Sequence, residues 1–300
     1  MTKVEHIEAV PKLPPRRPEA HKGDYGRVLV AGGSRGMVGA VALAANAALR
    51  GGAGLVTFAA PETIQLAAAT LCPCATSEPL ACQADGQLAA EAIRQFRKAA
   101  EAADVLAVGP GMGRGPRQQE LVRAALDQTR PLVLDADGLN NLAAIPDWPA
   151  GRRCPLVLTP HPGEFSRLTG RSIADIQAER EASAVAAACS WRAGGPDDAP
   201  PLVVLLKGAG TVVTDGRRVR VNRTGNPGMA TGGSGDVLTG LTAALLAQGL
   251  EPFEAASLAA HLHGRAGDLA AERLGEVSLL ATDLLDFLPA ALREAAGSDD

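Results

Sequence analysis

Short, nearly unbroken apolar runs alternate with longer stretches rich in alanine and leucine along most of this chain. The runs at 28–31, 55–58, 105–108, 132–134, 156–158 and 202–206 are bounded by glycine, proline or acidic residues. Runs with so little polar alternation predict strands covered on both faces, as in a parallel sheet. Residues 39–50, 88–103, 118–128 and 175–192 read as helices, because alanine and other good helix formers fill them and β-branched residues are sparse. Pro61 reads as the first residue of a further helix. Residues 211–214, Asp215-Gly216 and 219–221 predict a hairpin, and helices are predicted over 237–247, 253–271 and 282–296. The alternation predicts an α/β fold with a mainly parallel central sheet, helices on both faces and a short antiparallel extension.

Composition narrows the function. The chain has 300 residues, 46% of them hydrophobic, with 29 basic against 33 acidic side chains. Such a chain buries a large core and is not intrinsically disordered. A net charge of −4 and an aromatic content of 3% argue against nucleic-acid binding. No apolar stretch approaches a membrane span and no signal-peptide pattern opens the sequence, so a cytoplasmic protein is expected. The five cysteines include Cys72 and Cys74 in C-x-C, without a second pair at zinc-site spacing, which reads as reduced thiols. Residues 1–20 read as a flexible, proline-rich arm, 21–296 as a single domain and 297–300 as a tail.

Polar or glycine-rich clusters follow the predicted strands at 32–36 (GGSRG), 109–113 (GPGMG), 135–140 (DADGLN), 159–164 (TPHPGE) and 207–211 (KGAGT). In open α/β sheets ligands gather beyond the carboxyl ends of the strands, so these clusters suggest a shared rim. Residues 226–238 (NPGMATGGSGDVL) run from dense glycines into a helix. Backbone amides there are suited to an anion, and Asp236 in the first turn is suited to act as a general base toward a hydroxyl. The same segment also reads as a plain helix cap. The chain lacks the G-K-[ST] ending of a Walker A loop, and 32–36 lacks the spacing of a dinucleotide-binding turn.

Taken in order, KGDYGRVLVAGGSRGMVGA, GPGMG, VLDADGLN, LTPHPGEF, LKGAGTVV, NPGMATGGSGDVLTG and AAHLHGRAGD make the chain closely resemble the ADP- or ATP-dependent NAD(P)H-hydrate dehydratases of the ribokinase-like superfamily. The resemblance runs from Lys22 to about Leu288. It implies repair of hydrated NADH or NADPH, specifically the S epimer. The ring hydroxyl is phosphorylated from ADP (ATP being the alternative donor), and phosphate is then eliminated.

The resemblance assigns Asp236 as catalytic base and substrate contact, with Ala40, Gly111, Gly113 and His161 along the coenzyme half. Lys207, Gly208, Ala209, Gly210, Thr211, Asn226, Gly233 and Gly235 are assigned to the nucleotide, Asn226 alternatively serving to fasten its loop. Glu164 is assigned to Mg²⁺ through water. A homo-oligomer, with a tetramer as the form common among similar enzymes, is also implied. Because only about twenty residues precede the matching segment, no N-terminal epimerase domain is expected, and a separate epimerase becomes the functional partner. Asp135, Asp137 and Asn140 form a polar cluster without an assigned step, and His261 and His263 read as core or subunit contacts. Two other readings share the anion cradle: a kinase of a hydroxymethylpyrimidine- or thiazole-type vitamin precursor, and a nucleotide-binding sensor without catalysis.

Overall fold

The computed structural model describes residues 4–195 and 199–297. Among the described residues the strands are β1 (Glu5–His6), β2 (Arg27–Ala31), β3 (Leu55–Pro61), β4 (Thr76–Leu80), β5 (Val105–Val108), β6 (Leu132–Leu134), β7 (Leu156–Leu158), β8 (Leu202–Leu206), β9 (Val212–Thr214) and β10 (Arg218–Val221). They form one sheet in the order β1-β10-β9-β8-β7-β6-β5-β2-β3-β4. All pairs from β8 to β4 are parallel. The β8/β9 and β9/β10 pairs are antiparallel, forming the expected extension, and β1 runs parallel to β10.

Side chains on adjacent strand positions point to opposite faces, and here both faces are covered. Along β2, Val28 and Val30 join one apolar layer while Leu29 and Ala31 join the other. Helices Val38–Arg50, Glu62–Leu71, Ser234–Ala247, Pro252–Leu274 and Ala281–Ala296 pack into the first layer, and Ala90–Glu101, Pro116–Leu126 and Arg180–Ala193 into the second. Two-sided burial explains why these strands read as unbroken apolar runs.

Small residues let one helix pair approach closely. A Cβ on Gly240 would come 1.9 Å from the Ala44 carbonyl oxygen, so helix Ser234–Ala247 crosses Val38–Arg50 at a distance only glycine allows. The same helix packs on β2, β5 and β6, which brings its N-terminus to the carboxyl edge of the sheet. The strand order reverses between β2 and β5, where open α/β sheets form a crevice. The loops after those strands are locked together: Gly33 N–H donates to the Pro110 carbonyl (2.8 Å) and Ser34 Oγ to the Gly111 carbonyl (2.8 Å).

Several local expectations are corrected. The continuous helix predicted over 175–192 is two helices, Ile173–Ala178 and Arg180–Ala193, broken at Glu179 (φ −136°, ψ 54°). Pro61 ends β3 and flanks helix Glu62–Leu71 from outside, in extended conformation. β4 leaves no apolar run in the sequence because it is a polar edge strand containing Pro79, which an edge tolerates. The segment expected to be a flexible arm carries β1. Its Arg16 donates to the Gly52 carbonyl (2.5 Å) and lies 3.9 Å over the Tyr25 ring. Of the expected tail, 298–300 lie outside the described residues.

Candidate active site

The site is built where β5, β6, β7 and β8 end and helix Ser234–Ala247 begins. Asp135 follows β6 and is buried, and Lys207 follows β8 with its Nζ 2.5 Å from Asp135 Oδ1. Thr239 Oγ1 donates to the second carboxylate oxygen (2.7 Å). The ammonium also lies 4.0 Å from Glu164 Oε2. Gly235 fits against this pair: a Cβ there would sit 3.2 Å from Lys207 Nζ and 3.5 Å from Asp135 Oδ2. The first turn of the helix therefore rests directly on the ion pair.

Gly233, with φ +92°, is the residue before that helix and supplies no capping side chain. A side chain there would also strike Leu43 and Ala281. The amides of the first turn have no intrahelical acceptor; that of Ser234 reaches the Thr231 carbonyl (3.4 Å), while those of Gly235 and Asp236 donate to no protein acceptor among the described residues. His263, expected as a core or subunit contact, is half-buried and tethers this turn: its Nε2 is 2.9 Å from the Ser234 carbonyl oxygen. Burial pushes its pKa down to about 4, with Lys207 adding to the effect, so the ring is neutral.

Electrostatics sets the titration of Asp236. Burial, reinforced by Asp135 and opposed by Lys207, pushes its carboxyl up to about 7. Glu164 is likewise pushed up to about 7, chiefly by burial, with Lys207 opposing and Asp135 adding. Burial would depress Lys207, but Asp135 and Glu164 outweigh it and hold the ammonium charged. Buried carboxyls that titrate near neutrality are the groups best suited to exchange protons near pH 7.

His161 precedes helix Pro162–Thr169 and caps it. Its Nδ1 accepts from the Gly163 amide (2.9 Å), while Glu164 Oε2 accepts from the His161 amide (2.9 Å). Burial, with Lys207 adding, lowers the pKa of the ring. With Nδ1 accepting, the proton of the neutral ring sits on Nε2, 3.3 Å from Glu164 Oε1. One residue thus does two things: it satisfies local backbone, and its half-exposed ring keeps a donor at the site.

The polar cluster after β6 holds loops. Asp137 accepts from the Gly113 amide (3.1 Å) and Arg114 Nε (3.2 Å). Asn141, which carries no signal in the sequence, donates to the Gly113 carbonyl (2.9 Å) and accepts from the Gly115 amide (3.2 Å). Asn140 donates to Asp137 and accepts from Arg167. Gly111 (φ +60°) is pressed against the substrate wall expected at Ala40, where a Cβ would come 2.9 Å from that of Ala40. Asn226 faces the other way: Oδ1 accepts from the Gly228 amide and Nδ2 donates to Asp268, fastening its loop. Gly208, Ala209 and Gly210 are exposed, and Thr211 donates to the Gly208 carbonyl.

Among the described residues no three carboxylate, histidine or cysteine side chains gather to hold a metal alone. Glu164, buried and 4.0 Å from the Lys207 ammonium, offers one carboxylate at this place, a donor set compatible with a magnesium ion that keeps most of its waters.

A family model described as NAD(P)H-hydrate dehydratase matches residues 28–290. The chain belongs to the NAD(P)H-hydrate dehydratase family. It is 48% identical over 285 residues to the bifunctional NAD(P)H-hydrate repair enzyme Nnr of Moorella thermoacetica, covering 94% of this chain and 52% of the relative. The chain thus spans about half the length of the curated relatives it matches. The ADP/ATP-dependent NAD(P)H-hydrate dehydratase of Bacillus subtilis, co-crystallised with ATP/Mg²⁺, is 32% identical, with a TM-score of 0.78 and 95% of each chain covered. A ribokinase-like superfamily protein of Enterococcus faecalis is 26% identical, with a TM-score of 0.78 over 95% of this chain and 93% of that one. The fold is ribokinase-like, as the sequence predicts. Among the described residues of this dehydratase-family chain, no helix is long and apolar enough to cross a membrane.

Proposed function

We propose that this chain dehydrates the S epimer of NAD(P)H-hydrate using ADP, restoring NAD(P)H and releasing AMP and phosphate. The observation that carries the reading is Asp236, balanced near neutrality at the uncapped end of helix Ser234–Ala247 beside the Lys207–Asp135 pair. The similarity to the ADP/ATP-dependent dehydratase of Bacillus subtilis supports a nucleotide donor.

Hydroxide is a poor leaving group, so the ring hydroxyl of the hydrate must first become a phosphate ester. Asp236 removes its proton as the oxygen attacks the terminal phosphorus of ADP, forming the O–P bond and breaking the bond to the AMP oxygen. The amides at Gly235 and the Lys207 ammonium bind the phosphate oxygens and hold the attack in line. The ring nitrogen's electron pair then expels phosphate with the former hydroxyl oxygen, and loss of a proton from the neighbouring carbon restores the double bond. Glu164 would hold magnesium through water, and the bound ion would supply neutralisation of phosphate charge. The loops at Gly111 and Gly113, with Ala40 and His161, form the wall for the nicotinamide half.

The test is recovery of reduced-nicotinamide absorbance when protein, hydrated coenzyme and magnesium are mixed with ADP or ATP. Recovery with ADP, one AMP and one phosphate per turnover, is expected. A stable phosphate ester accumulating instead would make the chain a small-molecule kinase. Absence of recovery with either nucleotide would overturn the reading.

A further inference from the structure

Beneath the 207–211 loop lies a half-buried guanidinium outside the motif. The break at Glu179 places Arg180 at the start of helix Arg180–Ala193. Its Nη2 lies 3.0, 3.2 and 3.5 Å from the carbonyl oxygens of Leu206, Lys207 and Gly210, and Nη1 donates to Gln177 Oε1 (2.6 Å). Gly208 makes room for the guanidinium, since a Cβ there would come 3.0 Å from both terminal nitrogens. Among the described residues no carboxylate neighbour shifts the guanidinium's pKa, burial alone lowers it, and Nε is buried without a partner. Among the described residues the charge therefore meets only carbonyl dipoles.

Those contacts fix the direction of the loop's amides. In a trans peptide the C=O and the following N–H point in opposite directions, and the described residues contain no cis peptide. Carbonyls of Lys207 and Gly210 turned toward Arg180 aim the N–H groups of Gly208 and Thr211 away from it. Among the described residues neither amide donates to a protein acceptor, whereas the amide of Lys207 donates to the Pro160 carbonyl (2.8 Å). Two outward-facing amides on one loop form a donor pair for anionic oxygens.

We infer that Arg180 is a positioning residue that turns the Gly208 and Thr211 amides toward the phosphate oxygens of the nucleotide. The inference rests on the proposed function and extends it to a residue outside the 207–211 motif. It is tested by titrating ADP and, separately, the hydrated coenzyme into wild type, Arg180→Ala and Arg180→Lys by calorimetry. Arg180→Ala is expected to weaken ADP about tenfold or more, the equivalent of losing a charge-assisted contact, with coenzyme affinity unchanged. Added guanidinium ion below denaturing concentration should restore part of the loss.

Arg180→Lys keeps the charge without the fork, should remain weakened, and carries the test where the alanine variant fails to fold. Wild-type ADP affinity in either variant, or equal losses for ADP and coenzyme, would overturn the inference and leave the proposed function standing. A wild-type protein that binds neither ADP nor ATP would instead remove the proposed function, and this inference with it.

Discussion

Lys207 and Asp135, 72 residues apart in sequence, meet at 2.5 Å across the carboxyl ends of β8 and β6, and the first turn of helix Ser234–Ala247 rests on them. The pair links the predicted nucleotide loop to a carboxylate that the sequence motifs leave without a step. Removing one partner strands the other in a poorly solvated place, which is costlier than removing both.

Asp135→Asn should therefore destabilise the protein by about 3 kcal/mol, read from urea unfolding. Lys207→Met should cost a similar amount, and the double variant clearly less than the sum. Additive losses would show that the two side chains do not depend on each other.

Acid–base behaviour gives a second prediction, in which activity and stability move oppositely. Asp236 titrates near 7, above its ordinary 3.8, because burial penalises its charge. The native state thus keeps a proton that the unfolded chain has released. This stabilising contribution is complete below about pH 4 and is lost as pH rises through about 7. A general base must be ionised, so kcat/KM should rise with pH and level off above about 7. Asp236→Asn should raise Tm at about pH 8, by a gain on the order of 1–2 kcal/mol, and have little effect at about pH 4. A wild-type rate profile flat through neutrality would contradict the assignment.

Much of the fold and site is legible in the sequence because parallel strands and glycine-rich loops leave local signals. β2, β5, β6, β7 and β8 read correctly from their apolar runs, and the segments that carry Asp236 and Lys207 stand out by their glycine-rich motifs. What stays hidden depends on distant partners. Arg180 reads as one more residue of an alanine-rich helix, since the break at Glu179 has no proline or glycine to announce it. His263 gives no sign that its partner is a carbonyl 29 residues earlier. Thr239 and Asn141 are ordinary helix residues until the fold brings Asp135 and the 113–115 loop to them.

Backbone strain at the site supplies a third prediction. Ala136, next to Asp135, has φ +51° and ψ −120°, the one non-glycine positive φ among the described residues. It turns the chain so that Asp135 faces Lys207 while Asp137 faces Gly113. Such a conformation costs an alanine about 1–3 kcal/mol that glycine avoids. Ala136→Gly should raise stability by about 1 kcal/mol after the added freedom of the unfolded chain is counted, with turnover retained. A fall in Tm would mean that the methyl group contributes packing that outweighs the strain.

The central claim is that Asp236 takes the proton while the neighbouring amides and Lys207 hold the phosphates. It is tested most directly by measuring ADP affinity and single-turnover recovery of the reduced coenzyme side by side in wild type and Asp236→Asn. Nucleotide binding near wild type with turnover reduced about 10²–10⁴-fold is the predicted result. Turnover close to wild type in that variant would contradict it.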